Sequence, residues 1–499
     1  MLSSPLEVPS KQIELDDSTS IVAQPDLLPV SQNARTWTAV HLGGYWIAEA
    51  FGAQYQVAST ALASGLSPGA AIGAVFLGHF LVSCACNGWI GATYGINFPV
   101  LARASFGIYG NIVAVMCRAI AATVWFGTQT YQGGQCVEVM LRAIFPSFRS
   151  FKNHFPASAH VTSSELLCFF IFYIVQLPLL FVHISKAGLR HLFMLKPIFG
   201  FALFGWAVGK AHGFGPIFAQ KTDVSGSPVV VVFFSAMNAA IGPKDFTRFA
   251  KSPRTVVWTN IISLSIPVTL CAILGVVVTS ATQVIYNVST WNPLQVCELW
   301  SSRAAQFFAA LCWALAVLAT NISANSTAVG NDLAILFPRY IDIRRGQYVC
   351  AVVGLVTCPW LIQNTSTSFT SFLGGYTIFL APICGILLAD YYVHRRRILD
   401  VGALYRKEVS PYWYTHGFNL RAIGAFALAL IPNLPGFAAK VNDKVKVPIS
   451  ATYIYSLVWP VGFLVAAACY LLLNLAWPVR RVNERAESTS IASNKDLEK

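Results

Sequence analysis

Charge is what this sequence has least of. Asp, Glu, Lys and Arg make up 11% of its 499 residues, against roughly a quarter in an ordinary soluble protein. Too little charge remains to cover a water-facing surface of this size. The usual marks of catalysis and metal binding are missing too. There are twelve cysteines but no CxxC pair and no Cys/His cluster with zinc spacing. Most lie inside apolar runs, among them Cys84, Cys117, Cys168 and Cys271, and read as small buried hydrophobes. His41, His79 and His183 fall in separate runs with no spacing that would pair them with a hydroxyl or carboxylate, which argues against a membrane-embedded enzyme. The first 36 residues carry Glu7, Asp16, Asp17 and Asp26 but no apolar core of a signal peptide. The net charge of +13 does not gather into a groove for nucleic acid. Its arginines sit in short loops between apolar runs, as orientation in a membrane requires.

What is abundant is hydrophobic side chain, 55% of the total. It is gathered into twelve runs: 37–62, 68–91, 107–133, 164–184, 189–209, 228–242, 255–281, 304–330, 348–363, 369–393, 419–437 and 452–477. Most exceed the roughly 20 residues that a helix needs to cross hydrocarbon. The expected architecture is an all-α integral membrane protein of about twelve transmembrane helices. It divides into a cytosolic N-tail (1–36), a transmembrane domain (37–477) and a cytosolic C-tail (478–499), with polar, disordered tails. With the N-terminus inside, the inner segments hold 23 of the 34 Lys and Arg and the outer loops nine, a bias that places both termini in the cytosol.

Three runs carry polar residues that are costly in lipid and so face a cavity or another helix. In the third run, "AATVWFGTQTYQGGQC", Trp125 and Gln129 are one helical turn apart on one face. An indole beside an amide offers a stacking surface, two donors and an acceptor, which suits a planar heterocycle with alternating N–H and C=O groups. The alternative is that Trp125 packs and Gln129 bonds a neighbouring helix. In the eighth run, "LATNISANSTAVGND", six hydroxyl and amide residues fall between Thr320 and Thr327. They line a cavity or tie helices together. Asn325 suits the amide edge of a ligand, and Thr320 either contributes to a cation site or satisfies a backbone carbonyl. The first run, "GGYWIAEAFGAQYQ", holds Glu49, an acid near mid-span. Glu49 either carries a proton or stays neutral and hydrogen-bonded. Gln54 follows on the same helix and is a gating candidate. Paired broken helices in two inverted halves often surround a midplane site, and the sixth run is then the partner of the first.

Several stretches resemble a known family. "DLLPVSQNARTW" and "YWIAEAF" are similar to its lead-in and first span. "FPVLARASFGIYG" and "VWFGTQTYQGGQCVEVMLRAIFPSF" resemble the approach to its third span and that span's signature. "TNISANSTAVGNDL", "DFTRFAKSP" and "GGYTIFLAPICGILLADYYV" resemble its eighth span, the end of its sixth and its tenth. The family is the nucleobase–cation symporters, in the fungal uracil/allantoin permease subgroup. The resemblance implies ten helices in a five-plus-five inverted repeat with alternating access, plus two peripheral helices. It implies import of uracil, allantoin, uric acid or a related small heterocycle at the plasma membrane, with protons as the coupling ion and no cofactor. On matching positions, Trp125 stacks on the substrate ring, and Gln129 and Asn325 bond its amide edges. Ala316, Ala319 and Thr320 match positions that line the cation site of sodium-coupled relatives. Ala319 has no hydroxyl, which weakens a sodium site.

One departure stands out. By comparison with the family, roughly ten residues, about half of a spanning helix, are missing where Gly242 runs directly into Pro243-Lys244-Asp245. As a helix, 228–242 reaches about 22 Å, short of the ~30 Å hydrocarbon core. The alternative expectation is therefore a non-transporting relative, a sensor or degenerate product, in place of an active symporter.

Overall fold

A computed structural model describes residues 25–50, 58, 61–62, 64–181, 195–214, 221–224, 228–239, 246–288, 290, 292–363, 366–407, 410–442 and 444–478. Its architecture is helical; strand pairing among these residues is limited to isolated bridges such as Trp37 with Ala250. In hydrocarbon a helix satisfies its own backbone polar groups, and the apolar runs fold accordingly. Eight described helical stretches are long and apolar enough to cross a membrane: Pro68–Tyr94, Ile112–Ile144, Ala157–Phe181, Pro253–Tyr286, Arg303–Leu336, Ser371–His394, Leu420–Val441 and Val458–Ala476. Pro197–Ala211 is a shorter apolar helix. Helix starts are set by local chemistry. The Ser67 side chain accepts from the Ala70 N–H ahead of Pro68, and Thr162 and Glu165 form a reciprocal capping box.

The central element is the 33-residue helix Ile112–Ile144. It packs against Arg303–Thr320, Ser163–Gln176, Thr327–Leu336 and Ile343–Val356. The helix Pro253–Tyr286 lies against Ala39–Ala50, Pro68–Ala85 and Leu195–Ala211, and Ser366–Leu388 against Val458–Ala476. Small residues let these helices approach closely, as expected where lipid supplies no hydrophobic drive between them. A Cβ on Gly127 would sit 2.6 Å from the Gly354 carbonyl oxygen, and one on Gly346 would sit 2.7 Å from the Gly330 Cα.

The structure departs from the expected segmentation at two described places. The run 348–363 is not one helix: Ile343–Val356 ends, Cys358 takes φ +49°, and Pro359–Gln363 restarts. Pro359 disfavours a helical Cys358. Part of the expected N-tail is also packed. Leu27 is buried, its carbonyl accepts from the Tyr405 hydroxyl at 2.7 Å, and Arg35 donates to the carbonyls of Val30 (3.0 Å) and Ala92 (2.8 Å). The next stretch fastens to the segment after the sixth run, with Trp37 N–H donating to the Phe249 carbonyl at 2.9 Å and Lys251 N–H to the Trp37 carbonyl at 3.0 Å. Gly88, at φ +83°, makes room there for buried Thr247, whose methyl would collide with a Cβ. The Gly242–Pro243 junction itself lies outside the described residues.

The face assigned to the cytosol is closed by a folded cap. Arg103, on the helix Phe98–Phe106, donates to the Leu404 carbonyl at 3.1 Å and lies over the Tyr405 ring. Burial lowers its pKa to about 10, which still leaves it charged at neutral pH. Asp390 accepts from Ser105 Oγ at 2.9 Å, Arg395 Nε at 2.8 Å and the Tyr470 hydroxyl at 2.8 Å.

Deeper in, Arg118 on the central helix pairs through two hydrogen bonds with Asp332, which is fully buried, and lies 4.1 Å from the Phe98 ring centre. Removing one partner of a buried pair strands the other charge, at a cost of about 3–5 kcal/mol. Asp332→Asn is therefore expected to lower stability by that order in detergent unfolding, while Asp223→Asn, at an exposed site, leaves it unchanged. Wild-type melting of the Asp332 variant would contradict the ion pair's structural role.

Candidate functional site

The site is built where the central helix crosses the eighth run. That run forms one continuous rod in three parts: Arg303–Thr320, a π-helical turn Asn321–Ser326, and Thr327–Leu336. A π turn widens the helix by one residue and leaves carbonyls to be satisfied otherwise. Here the hydroxyls of Ser326 and Thr327 both donate to the Ile322 carbonyl at 2.8 Å. Gln347 Nε2, on the neighbouring helix, donates to the same two hydroxyls at 3.2 and 3.1 Å. Ser323 Oγ donates to the Thr320 carbonyl at 3.3 Å. So the hydroxyls of Ser323, Ser326 and Thr327 turn back on their own helix.

Asn321 is the hub. Its Nδ2 donates to the Phe126 carbonyl (3.1 Å), Thr130 Oγ1 (3.1 Å) and Gln176 Oε1 (3.2 Å), and its Oδ1 accepts from Asn325 Nδ2 (2.9 Å). Gln176 Nε2 closes the ring on Thr130 Oγ1 at 2.8 Å. Three helices therefore meet at one carboxamide. Sequence reading grouped Asn321 with its polar neighbours and passed over Gln176. An amide inside the otherwise apolar "LLCFFIFYIVQ" was the signal available.

Trp125 and Gln129 flank this hub on the central helix, one turn apart. Trp125 is partly buried and meets Phe372 edge to face, with ring centres 5.6 Å apart. Phe372 is in turn 5.5 Å from Tyr376, whose side chain hydrogen-bonds Trp125. Gln129 is 7% exposed, and its Oε1 is buried with no hydrogen-bond partner among the described residues. Asn325 is partly buried and reaches the central helix through Asn321. The structure thus gathers Trp125, Gln129 and Asn325 around one junction.

The cation candidates sit deeper. Ala316, Ala319 and Thr320 are buried. Ala319 packs with Tyr45 and Trp46 of the first helix, beside Trp37 and Leu264. Trp46 Nε1 donates to Asn260 Oδ1 at 2.7 Å, so the first and seventh runs are tied at the same level. The side chain of Glu49, and Gln54 altogether, lie outside the described residues. No cluster of His, Cys, Asp and Glu among the described residues could hold a metal ion.

An all-helical, multi-spanning body with an amide and an indole at a helix crossing defines a membrane permease. Comparison with known proteins makes the class specific. Residues 29–462 match the family described as "Permease for cytosine/purines, uracil, thiamine, allantoin", and the chain belongs to that family. It is 36% identical to the allantoin permease of Saccharomyces cerevisiae, covering 91% of this chain and 76% of that one. It is 34% identical to the uracil permease of the same yeast, covering 92% and 77%, and 33% identical to its uridine permease, covering 93% and 76%. In fold it is similar to MHP1, a nucleobase-cation-symport-1 family transporter, in a closed conformation with bromovinylhydantoin bound: TM-score 0.72, 21% identity, 93% of this chain and 98% of that one. The relatives are permeases and not enzymes.

The geometry separates two amides. Asn321→Ala strips partners from buried groups on two other helices and is expected to lower stability by about 1–3 kcal/mol. Asn325→Ala removes one recorded bond and is expected to melt within about 1 kcal/mol of the wild type. Equal melting of the two variants would show that Asn321 does not hold the junction.

Proposed function

We propose that this permease is a symporter that takes up a nucleobase-like heterocycle at the plasma membrane by alternating access, driven by protons. Uracil, allantoin, uric acid and close derivatives are the substrate class. The observation that carries the reading is the buried, unpartnered Oε1 of Gln129 one turn from the Trp125 indole. A buried acceptor left without a donor is unfavourable by about 1–3 kcal/mol, and a ring N–H would relieve it while the ring stacks on Trp125. In this reading Asn325 bonds a second amide edge. The names of the yeast relatives and the hydantoin bound in MHP1 support this substrate class. Twelve spans, the inverted repeat and cytosolic termini accompany the reading.

Protons are preferred over sodium because Ala316 and Ala319 offer methyl groups where a hard cation needs oxygen ligands. Glu49 is the proposed proton carrier, and no cofactor is involved. The rival reading of a non-transporting relative rests on the Gly242–Pro243 junction alone. Relatives named as permeases match across 91–93% of the chain, which does not favour it.

Uptake of labelled uracil, allantoin and uric acid in a transporter-null host tests the proposal. At least one is expected to be taken up saturably, faster at acidic external pH. Trp125→Ala, Gln129→Ala and Asn325→Ala are each expected to weaken uptake affinity by about 10- to 100-fold at normal surface abundance. A surface-localised protein that takes up none of the three would overturn the substrate assignment.

A further inference from the structure

A cavity of about 520 Å³ opens at the rim of the face assigned to the cytosol. It shares no lining residue with the Trp125 junction. Three elements form it: the end of the helix Pro68–Ala85 and the turn after it, the start of Pro253–Tyr286, and the end of the tenth run. Most of its wall is apolar, including Val257, Trp258 and Leu388, but Arg254 and Arg397 also line it. Both arginines are exposed, and neither has a carboxylate partner among the described residues. By contrast, two buried arginines are neutralised, Arg118 by Asp332 and Arg395 by Asp390.

Arg397 is also held in place. Arg396 and Arg397 both take left-handed backbone conformations, φ +51° and +68°, which are unfavourable for residues with a Cβ. The Arg397 N–H donates to the Tyr391 carbonyl and its own carbonyl accepts from the Tyr94 hydroxyl, both at 2.8 Å. Its guanidinium then lies 5.4 Å from the Tyr392 ring centre. Strained backbone of this kind persists where the surroundings fix it, often at binding sites.

From Trp258 an exposed apolar stripe climbs the same helix at four-residue spacing: Trp258 67%, Ile262 52%, Ile266 53% and Leu270 44% exposed. Residues so spaced share one helix face, here the face left to lipid. The site therefore has a cationic mouth at the interface and an apolar track running into the bilayer. We propose that it binds an anionic phospholipid, with the phosphate at Arg254 and Arg397 and an acyl chain along the Trp258–Leu270 stripe. Unpaired basic residues at the cytosolic rim attract such headgroups, and tryptophan and tyrosine sit naturally at that depth. A soluble anion would use the arginines but leave the apolar wall and stripe unexplained. Because the cavity joins the second, seventh and tenth runs, a bound lipid would brace the tenth run against the packed pair formed by the other two.

Native mass spectrometry of the purified full-length protein tests this, with phosphatidylinositol, phosphatidylserine and phosphatidylcholine added in turn. The anionic lipids are expected to bind about tenfold or more tighter than phosphatidylcholine. Arg254→Gln with Arg397→Gln should abolish that preference, and the corresponding Lys pair should keep most of it. An undiminished anionic preference in the double Gln variant overturns the proposal. So does equal binding of all three lipids by the wild type, or displacement of the lipid by the soluble headgroup glycerophosphoinositol at equal concentration. A readout on the wild type alone guards against a variant that does not fold. Cys84 is exposed and lines the cavity, so phosphatidylinositol should slow its alkylation by a maleimide and phosphatidylcholine should not. Unchanged alkylation would also overturn the site.

Discussion

Four hydrogen bonds meet at the carboxamide of Asn321, and the centre of the protein is arranged around them. A carboxamide has two N–H donors, and here three acceptors share them. In water such a cluster would be worth little, since solvent competes for every partner. Between helices in a bilayer, a lost partner is not replaced by solvent, and neighbouring groups must supply it. The cluster therefore fixes the central helix, the helix ending at Gln176 and the π turn at one mutual depth. Trp125 and Gln129 project from the first of these, and Asn325 from the last. Their relative placement follows from a bond network in which only Asn325 takes part.

The same rule orders the charges. Arg118 enters the bundle and meets Asp332, and Arg142 at the opposite end of the central helix meets Glu138 and Glu298. Asp390 is held by Arg395, a serine and a tyrosine. Each of these three clusters pairs opposite charges and sets a hydroxyl or ring beside them, whereas buried Arg103 is held by the Leu404 carbonyl and the Tyr405 ring. These pairs act more as registry pins between distant segments than as net sources of stability, because desolvation consumes much of their attraction. Against that background Arg254 and Arg397 differ in kind. They lie exposed at the rim, Arg397 beside the Tyr392 ring, where an external anion has access.

Much of this was legible in the sequence. Trp125 and Gln129 follow from a four-residue spacing inside an apolar run, and helix geometry puts them on one face whatever surrounds them. The all-helical membrane fold follows from composition. Pro359 marks the break in the ninth run, a signal that the reading of 348–363 as one segment passed over. What could not be read is the division of labour among the polar residues of the eighth run. A regular 3.6-residue period was assumed there, but the π turn adds a residue and rotates everything beyond Ser326. Ser326 and Thr327 then satisfy Ile322 and Gln347, and Ser323 and Asn325 each make a single side-chain bond. Arg118 was noticed as a charge within a run, yet its partner lies 214 residues away and no local pattern announces it. The N-tail was read as free because it is polar. Its described part, from residue 25 on, is pinned instead through backbone carbonyls, which are invisible to side-chain composition.

Gln129 and Asn321 make the contrast that gives the site its chemistry. Both are amides in the same water-poor junction, on helices that pack directly on each other. Asn321 is saturated, so displacing any of its bonds exposes a deficit elsewhere and its geometry resists change. The Gln129 Oε1 is buried and lacks a partner among the described residues, so under the proposed function a donor from outside would complete it. A ligand bearing an N–H beside a planar face would gain that bond in addition to its own stacking on Trp125. A ligand with only acceptors at that edge would add lone-pair repulsion to an already unpaired oxygen. Discrimination between heterocycles would then come from the unsatisfied amide, while the saturated one keeps it in position.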